Sequence, residues 1–351
     1  TYKTYAQQAR TAAKALVKLG LEAGQTTCIL GFNRPEWAIF DLATMTAGGA
    51  PAGIYTTCSP VEVSYIIQHA EARIVLLEDA GQWAKVLAEL DNLPNLKHVV
   101  MMRGADAIEH EKVMTWEAFI ALAEGVDDAV IDERLANLED DQLATFIYTS
   151  GTTGPPKGVM LSHKNLVWTS DCAEELVALH ENDCSLSYLP LSHIAEQIFT
   201  LHGPITFGYQ VFFAESIEAV KENLAEVRPT VLFAVPRIWE KFHAGISAKL
   251  KNASPIKAML FSWATSVGSR YNDHLNRRQP VPGLLQLQYR LADRLIYSKV
   301  KGALGLDRLR FAVSGAAPIA AEVLEFFAGI DIAVREVYGQ SEDTGPTSFN
   351  I

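Results

Sequence analysis

The feature that most constrains this chain is a rhythm. Short runs of β-branched and aromatic residues alternate with amphipathic segments from Thr26 to Gly339. A strand, a helix and a further strand in the same direction build a parallel sheet with helices on its faces, so the alternation specifies an α/β fold. Candidate strands are TTCILGF from Thr26, ARIVLLED from Ala72, KHVVMMR from Lys97, LATFIYTS from Leu143 and CSLSYLP from Cys184. YQVFFA from Tyr209, PTVLFAV from Pro229, LRFAVSG from Leu309 and IAVREVYG from Ile332 follow. Pro35, Pro60, Pro236 and Pro318 are expected in first helical turns, where the missing N–H is tolerated. From Ser254 to Gly302 the pattern is helical except at RRQPVPG. No fixed-period repeat or low-complexity tract is present.

A length of 351 residues exceeds the usual size of one compact core, so two lobes are expected. The chain is 49% apolar and 20% charged, which leaves little room for long disorder. Its net charge of -11 excludes a broad phosphate-backbone surface, so nucleic acid is not an expected partner. Cys28, Cys58, Cys172 and Cys184 are widely spaced without a C-x-x-C pattern, which reads as reduced, mostly buried thiols rather than a disulfide framework or zinc site. Leu42 to Val61 and Gln197 to Ala214 are uncharged and long enough for a membrane span, but Gly, Pro, Thr and His interrupt them. The opening TYKTYAQQARTAAKAL lacks the apolar core of a signal peptide. Thr1 at the start and an uncapped end at Ile351 read as a piece of a longer polypeptide.

Ligands of open parallel sheets collect beyond the carboxyl ends of the strands. Three segments are expected there: Ser150 to Lys157, Ser314 to Pro318, and Tyr338 to Glu342. In the first, Gly151, Gly154 and Gly158 allow tight turning and exposed N–H groups. Ser150, Thr152 and Thr153 add hydroxyls and Lys157 a charge, which together suit a polyphosphate. Pro156 before Lys157 and Gly158 after it exclude the Walker A pattern. Taken singly, each feature has a plainer reading: GTTG as a surface turn, Ser-Gly-Ala-Ala-Pro as a strand-to-helix connection, Glu342 as a solvated carboxylate, His193 as a satisfied core histidine. Trp239 and the run QIFTLHGPITFGYQVFFA suit either an acyl channel or ordinary packing.

The strings taken together narrow this. YTSGTTGPPKGV resembles the phosphate-binding signature of the adenylate-forming superfamily, which includes acyl-CoA synthetases, peptide synthetase adenylation domains and beetle luciferases. YLPLSHIAEQ resembles that family's next motif, AVSGAAP its adenine-binding segment, and VYGQSEDTGP its Tyr-Gly-x-Thr/Ser-Glu motif. All stand in the family's order, and the similarity covers the whole chain. LGFNRPEWAIFDLATMTAGGAPAGIYTTCSP, VPRIWEKF and YGQSEDTGP are similar to the long-chain and very-long-chain fatty acyl-CoA synthetases, in particular the bubblegum-type branch.

The resemblance implies the large N-terminal domain of that fold: two packed αβ subdomains with mostly parallel sheets. Residues 26–182 would form the first lobe, with the phosphate loop, and residues 1–25 plus 183–351 the second. The β-barrel part would be missing or incomplete, and the C-terminal lid domain with its lysine absent. The implied reaction is ATP-dependent activation of a long-chain fatty acid through an acyl-adenylate and transfer to coenzyme A, with this fragment alone showing little or no turnover. A medium-chain or aryl acid ligase, or a non-catalytic nucleotide- or lipid-binding module, are the alternatives.

By motif position, Ser150, Gly151, Thr152, Thr153, Gly154 and Lys157 would hold the phosphates of ATP. Thr152 and Glu342 would hold Mg2+. Gly315, Ala316 and Ala317 would line the adenine, with Tyr338, beside Gly339, stacked on it. His193 would lie near the carboxylate or α-phosphate. Lys157, Thr152, His193 and Glu342 form the implied catalytic set. Gln340 and Ser341 depart from the commoner Leu-Thr or Leu-Ser pair, and Pro155 precedes Pro156 where another residue is usual; neither moves Glu342 or Lys157 out of register. The expected placement is cytoplasmic, and membrane attachment stays open, long-chain substrates being compatible with a loose peripheral association.

Overall fold

The computed structural model describes residues 1–149 and 154–350, apart from the side chains of Glu174 and Glu175. The chain divides into two compact units, Thr1–Glu175 with Ser187–Gly208, and Leu176–Leu186 with Tyr209–Ile351.

The first unit is built on a seven-stranded sheet. Its strands are β1 (Thr26–Leu30), β2 (Ala50–Ile54), β3 (Ile74–Leu77), β4 (His98–Met101), β5 (Val113–Thr115), β6 (Leu143–Thr149) and β7 (Lys157–Ser162), in the order β5-β4-β3-β1-β2-β6-β7. Every neighbouring pair is parallel except β6 with β7. β1 and β3 are buried at every position, as expected of parallel strands covered on both faces. Pro35 and Pro60 open the helices Pro35–Thr46 and Pro60–His69, and the second carries a reciprocal capping box between Ser59 and Glu62.

Helix Tyr2–Lys18 buries Ala9, Ala12, Ala13, Ala15 and Leu16 and packs closely on helix Pro35–Thr46. Arg10 and Lys14 on the same helix reach Asp128, and Arg10 also Asp132. In this division residues 1–25 lie in the first unit, whereas the sequence reading groups them with residues 183–351. An alanine face lets two helix backbones approach closely, and the matching surface is on the first unit. Residues 187–208 also return to the first unit. Gly53 makes room for them: a Cβ there would sit 2.7 Å from Ser192 Cα.

The second unit holds β8 (Cys184–Ser187) paired with β9 (Gln210–Phe213), and a sheet of β10 (Val231–Ala234), β11 (Phe311–Ser314), β12 (Val334–Gln340) and β13 (Gly345–Phe349) in that order. β10, β11 and β12 are parallel, and β13 runs antiparallel to β12. Trp239, fully buried on helix Pro236–Lys251, packs edge-on against Phe327 at 5.1 Å and donates to the Val313 carbonyl at 3.4 Å, the packing alternative of the two. Helix Pro255–Asn276 lies against helix Gly283–Ala292, with Tyr271 stacked on Tyr289 at 3.9 Å. Asp183, wholly buried, accepts from both Arg310 and Thr230 at 2.6 and 2.7 Å. Burial alone would raise the Asp183 carboxyl, but these bonds, with one from the His180 N–H, hold it below its ordinary value.

All nine expected strands form. β2, β5, β7 and β13 were not expected from the sequence. Pro318 does not open a helix, because the chain stays irregular until helix Ala321–Gly329.

Candidate functional site

In the first unit, β6 and β7 form an antiparallel hairpin in which Thr149 pairs with Lys157 and Tyr148 with Gly158. The glycine-rich segment is therefore a hairpin connection at the carboxyl end of β6, and Lys157 is the exposed first residue of the returning strand. Ser150, Gly151, Thr152 and Thr153 lie outside the described residues. Gly154 adopts φ +91°, a left-handed conformation that favours glycine. Gly158 is closely packed, since a Cβ would lie 3.2 Å from the Tyr148 ring. That ring is fixed by a 2.8 Å hydrogen bond between its hydroxyl and His69 Nδ1.

His193 caps the short helix Ile194–Gln197, its Nδ1 accepting from the Ala195 N–H at 3.1 Å. With Nδ1 used as an acceptor, the neutral ring carries its proton on Nε2, and burial lowers its pKa. His193 is thus both a satisfied capping residue and a neutral Nε2–H donor. Ile194 and Ile198 pack with Ile147 of β6 and Leu161 of β7, which sets this segment against the hairpin sheet.

A buried network that the motif reading missed fixes the loop before His193. Glu196 Oε1 accepts from Ser187 Oγ at 2.7 Å and Thr200 Oγ1 at 2.8 Å, and its carboxylate also accepts from the backbone N–H groups of Tyr188 and Leu189. Asn33 Nδ2 donates to Ser187 Oγ at 2.7 Å and to the Leu189 carbonyl at 2.6 Å, and Asn33 Oδ1 accepts from the Leu191 N–H at 3.2 Å. Burial pushes Glu196 up to about 7 despite these donors. A glutamate inside the apolar run LPLSHIAEQIF was the available signal, because carboxylates are rarely buried without a task.

In the second unit, β11 ends at Ser314 while β12 continues. Residues 312–314 pair with 334–336, so residues 337–340 run past the end of β11 and take β13 as partner. Tyr338 and Gly339 are therefore inside a strand rather than beyond one, which corrects that part of the expectation. The overrun brings the two adenine-associated segments together: a Cβ on Gly315 would meet Val337 Cγ1 at 2.5 Å and Phe233 at 3.1 Å. Ala316 sits at φ +65°, an unusual conformation for a residue with a side chain, and Ala316 and Ala317 are exposed. The Tyr338 ring is 66% exposed. Ser314 Oγ, immediately before Gly315, is buried with no hydrogen-bond partner among the described residues. An exposed aromatic face suits a planar base.

Gly339 has its own constraint, since a Cβ there would lie 1.9 Å from the Gly345 carbonyl. Glu342 is exposed on the turn Ser341–Asp343. Asp343 is engaged by Gln340 at 3.2 Å and by Thr347, whereas Glu342 has no hydrogen bond or ion pair among the described residues. No group of three His, Cys, Asp or Glu among the described residues could by itself hold a metal ion. A magnesium ion bound largely through phosphate oxygens needs only one or two protein oxygens, and Glu342 fits that requirement. The candidate residues fall into two groups: the hairpin and His193 in the first unit, and Gly315 to Ala317, Tyr338, Gly339 and Glu342 in the second.

The fold is α/β, and the comparisons show the family to which it belongs. The family model described as AMP-binding enzyme matches residues 1–351, and the chain belongs to that family. It is 40% identical over 360 residues to the long-chain-fatty-acid–CoA ligase ACSBG2 of Xenopus laevis, covering 100% of this chain and 48% of that protein. It is 41% identical over 361 residues to the ACSBG2 of Gallus gallus, covering 100% and 47%. The chain thus spans about half the length of these relatives. The A-PCP didomain of carboxylic acid reductase from Segniliparus rugosus, solved in complex with AMP, shares the fold with a TM-score of 0.73 at 20% identity, covering 99% of this chain and 47% of that one.

Proposed function

We propose that the polypeptide to which this chain belongs activates a long-chain fatty acid with ATP and transfers it to coenzyme A. The observation that carries the proposal is similarity along the entire chain to long-chain-fatty-acid–CoA ligases. In the first step a carboxylate oxygen attacks the α-phosphorus of ATP, forming the acyl-adenylate as the bond to pyrophosphate breaks. In the second, the thiol sulfur of coenzyme A bonds to the acyl carbon, and AMP leaves.

Residues of this chain would divide the first step. Tyr338 and the Gly315–Ala317 turn bind the adenine, with Gly339 allowing β13 to approach β12 beside Tyr338. By motif position Ser150, Gly151, Thr152, Thr153 and Gly154 would bind the phosphates through N–H groups and hydroxyls, with Lys157 adding a charge. The Nε2–H of His193 donates to an oxygen of the carboxylate or α-phosphate. By motif position Glu342 and Thr152 would hold magnesium, which would supply charge neutralisation on the polyphosphate. The expected cytoplasmic placement belongs to this proposal.

Calorimetric titration of the chain with ATP and magnesium, then with a non-hydrolysable palmitoyl-adenylate analogue, tests it. The analogue is expected to bind, and Tyr338→Ala and Glu342→Ala to weaken binding about tenfold or more. Analogue affinity unchanged by both substitutions would overturn the site. Pyrophosphate release by the longer polypeptide, stimulated by octanoate or benzoate but not palmitate, would overturn the substrate.

A further inference from the structure

Helix Gly283–Ala292 carries a bare aliphatic face. Leu284, Leu287 and Leu291 stand at positions i, i+3 and i+7, on one side of the helix, and are 71%, 66% and 50% exposed. Leu285 and Ala292, on the other side, are buried, and this helix lies against helix Pro255–Asn276. Packing therefore uses one face and leaves three leucines facing water, a cost that soluble surfaces ordinarily avoid.

The surrounding charge is the second observation. In a chain of net charge -11, residues 255–301 hold eight Lys and Arg (Lys257, Arg270, Arg277, Arg278, Arg290, Arg294, Lys299 and Lys301) against only Asp273 and Asp293. Asp273 engages Arg277, and Lys301 is taken by Asp331. Arg278, Arg290 and Arg294 are exposed within or beside the leucine-bearing helix, and no acidic residue lies between Asp273 and Asp293. No helix among the described residues is long and apolar enough to cross a membrane.

We propose that this helical hairpin is a docking face for an anionic lipid bilayer, with Leu284, Leu287 and Leu291 entering the acyl boundary and Arg278, Arg290 and Arg294 meeting the headgroup charges. Exposed aliphatic residues on one helix face, flanked by arginines that outnumber the neighbouring carboxylates Asp293 and Asp331, are the chemistry of an interfacial helix. A protein partner would be matched equally well by the leucines but gives no reason for the local excess of cations in an acidic chain. The inference is independent of the ligase reading and would hold for a non-catalytic chain.

The test is sedimentation of the full purified chain with phosphatidylcholine vesicles and with vesicles containing roughly 30% phosphatidylserine, at low and at raised salt. Binding is expected to the anionic vesicles only, to weaken with salt, and to fall about tenfold or more in Leu284→Gln/Leu287→Gln/Leu291→Gln and in Arg278→Gln/Arg290→Gln/Arg294→Gln. All six side chains are exposed, so both variants should keep the wild-type melting temperature, which separates loss of docking from loss of fold. Failure of the folded wild type to sediment, equal binding to neutral vesicles, or binding untouched by either triple variant would overturn the proposal. So would a concentration-dependent dimer that the leucine variant abolishes, which would assign the face to a second copy.

Discussion

At Gly339 the lack of a side chain is a requirement of the site. Its Cβ would overlap the Gly345 carbonyl at 1.9 Å, so Gly339→Ala must push β13 away from β12 directly beside Tyr338. We expect a loss of about 3 kcal/mol in urea unfolding, with weaker adenylate binding. Gly245, inside helix Pro236–Lys251 with open space around it, provides the contrast: Gly245→Ala should gain about 0.7 kcal/mol. Loss of similar size at both positions would mean that helix propensity and backbone approach had been misjudged. Arg310→Ala strands the buried Asp183 carboxylate and should cost about 3 kcal/mol at pH 7. Because the folded Asp183 pKa is depressed, the stability it supplies is present above its unfolded value and lost as pH falls through the folded value. The deficit of the variant should therefore shrink in strong acid, as thermal melts across pH would reveal.

Elements differ in how openly they declare themselves. The helix at Pro60 is legible from Ser-Pro-x-Glu alone, and Ser59 and Glu62 make both bonds of the capping box. Ser59→Ala should cost about 1 kcal/mol, read by chemical denaturation, while an unchanged midpoint would mean that tertiary contacts alone fix that helix start. β2 is the opposite case. Its sequence APAGI has a proline and a glycine and little β propensity, yet it is a fully buried central strand between β1 and β6. Pairing with two neighbours and the close approach of Ser192 to Gly53 outweigh local preference there. β7 was hidden for a related reason: its partner is the strand immediately before the glycine-rich loop, and only that pairing shows the loop to be a hairpin.

Over the whole molecule, pH sets two buried groups of the first unit against each other. Burial, with a contribution from His163, lowers His202 to about 4. The unfolded chain binds a proton that the folded imidazole refuses, so stability is lost as pH falls from about 6.5 toward about 4. Glu196, raised by burial to about 7, takes up a proton in the fold before it would in the unfolded chain. Its contribution is full below its ordinary value and lost as pH rises through about 7. His202→Asn should therefore flatten the acid loss of melting temperature between pH 6.5 and 4, and Glu196→Gln should steepen it. Identical slopes in both variants would show that neither group titrates as its burial requires.

Alternation of apolar runs and amphipathic segments by itself determined the α/β class and nine of the strands, because side-chain periodicity is a local property of the backbone. Motif strings likewise single out the glycine-rich loop, His193, the Gly315 turn and Tyr338 as candidates. Tertiary structure decided the rest. It placed helix Tyr2–Lys18 in the first unit, since an alanine face does not say which surface it matches. It carried β12 past the end of β11, so that Val337, next to Tyr338 in the same strand, meets Gly315. It also enclosed Glu196 with Asn33, residues far apart in sequence whose partnership exists only when the chain closes around them.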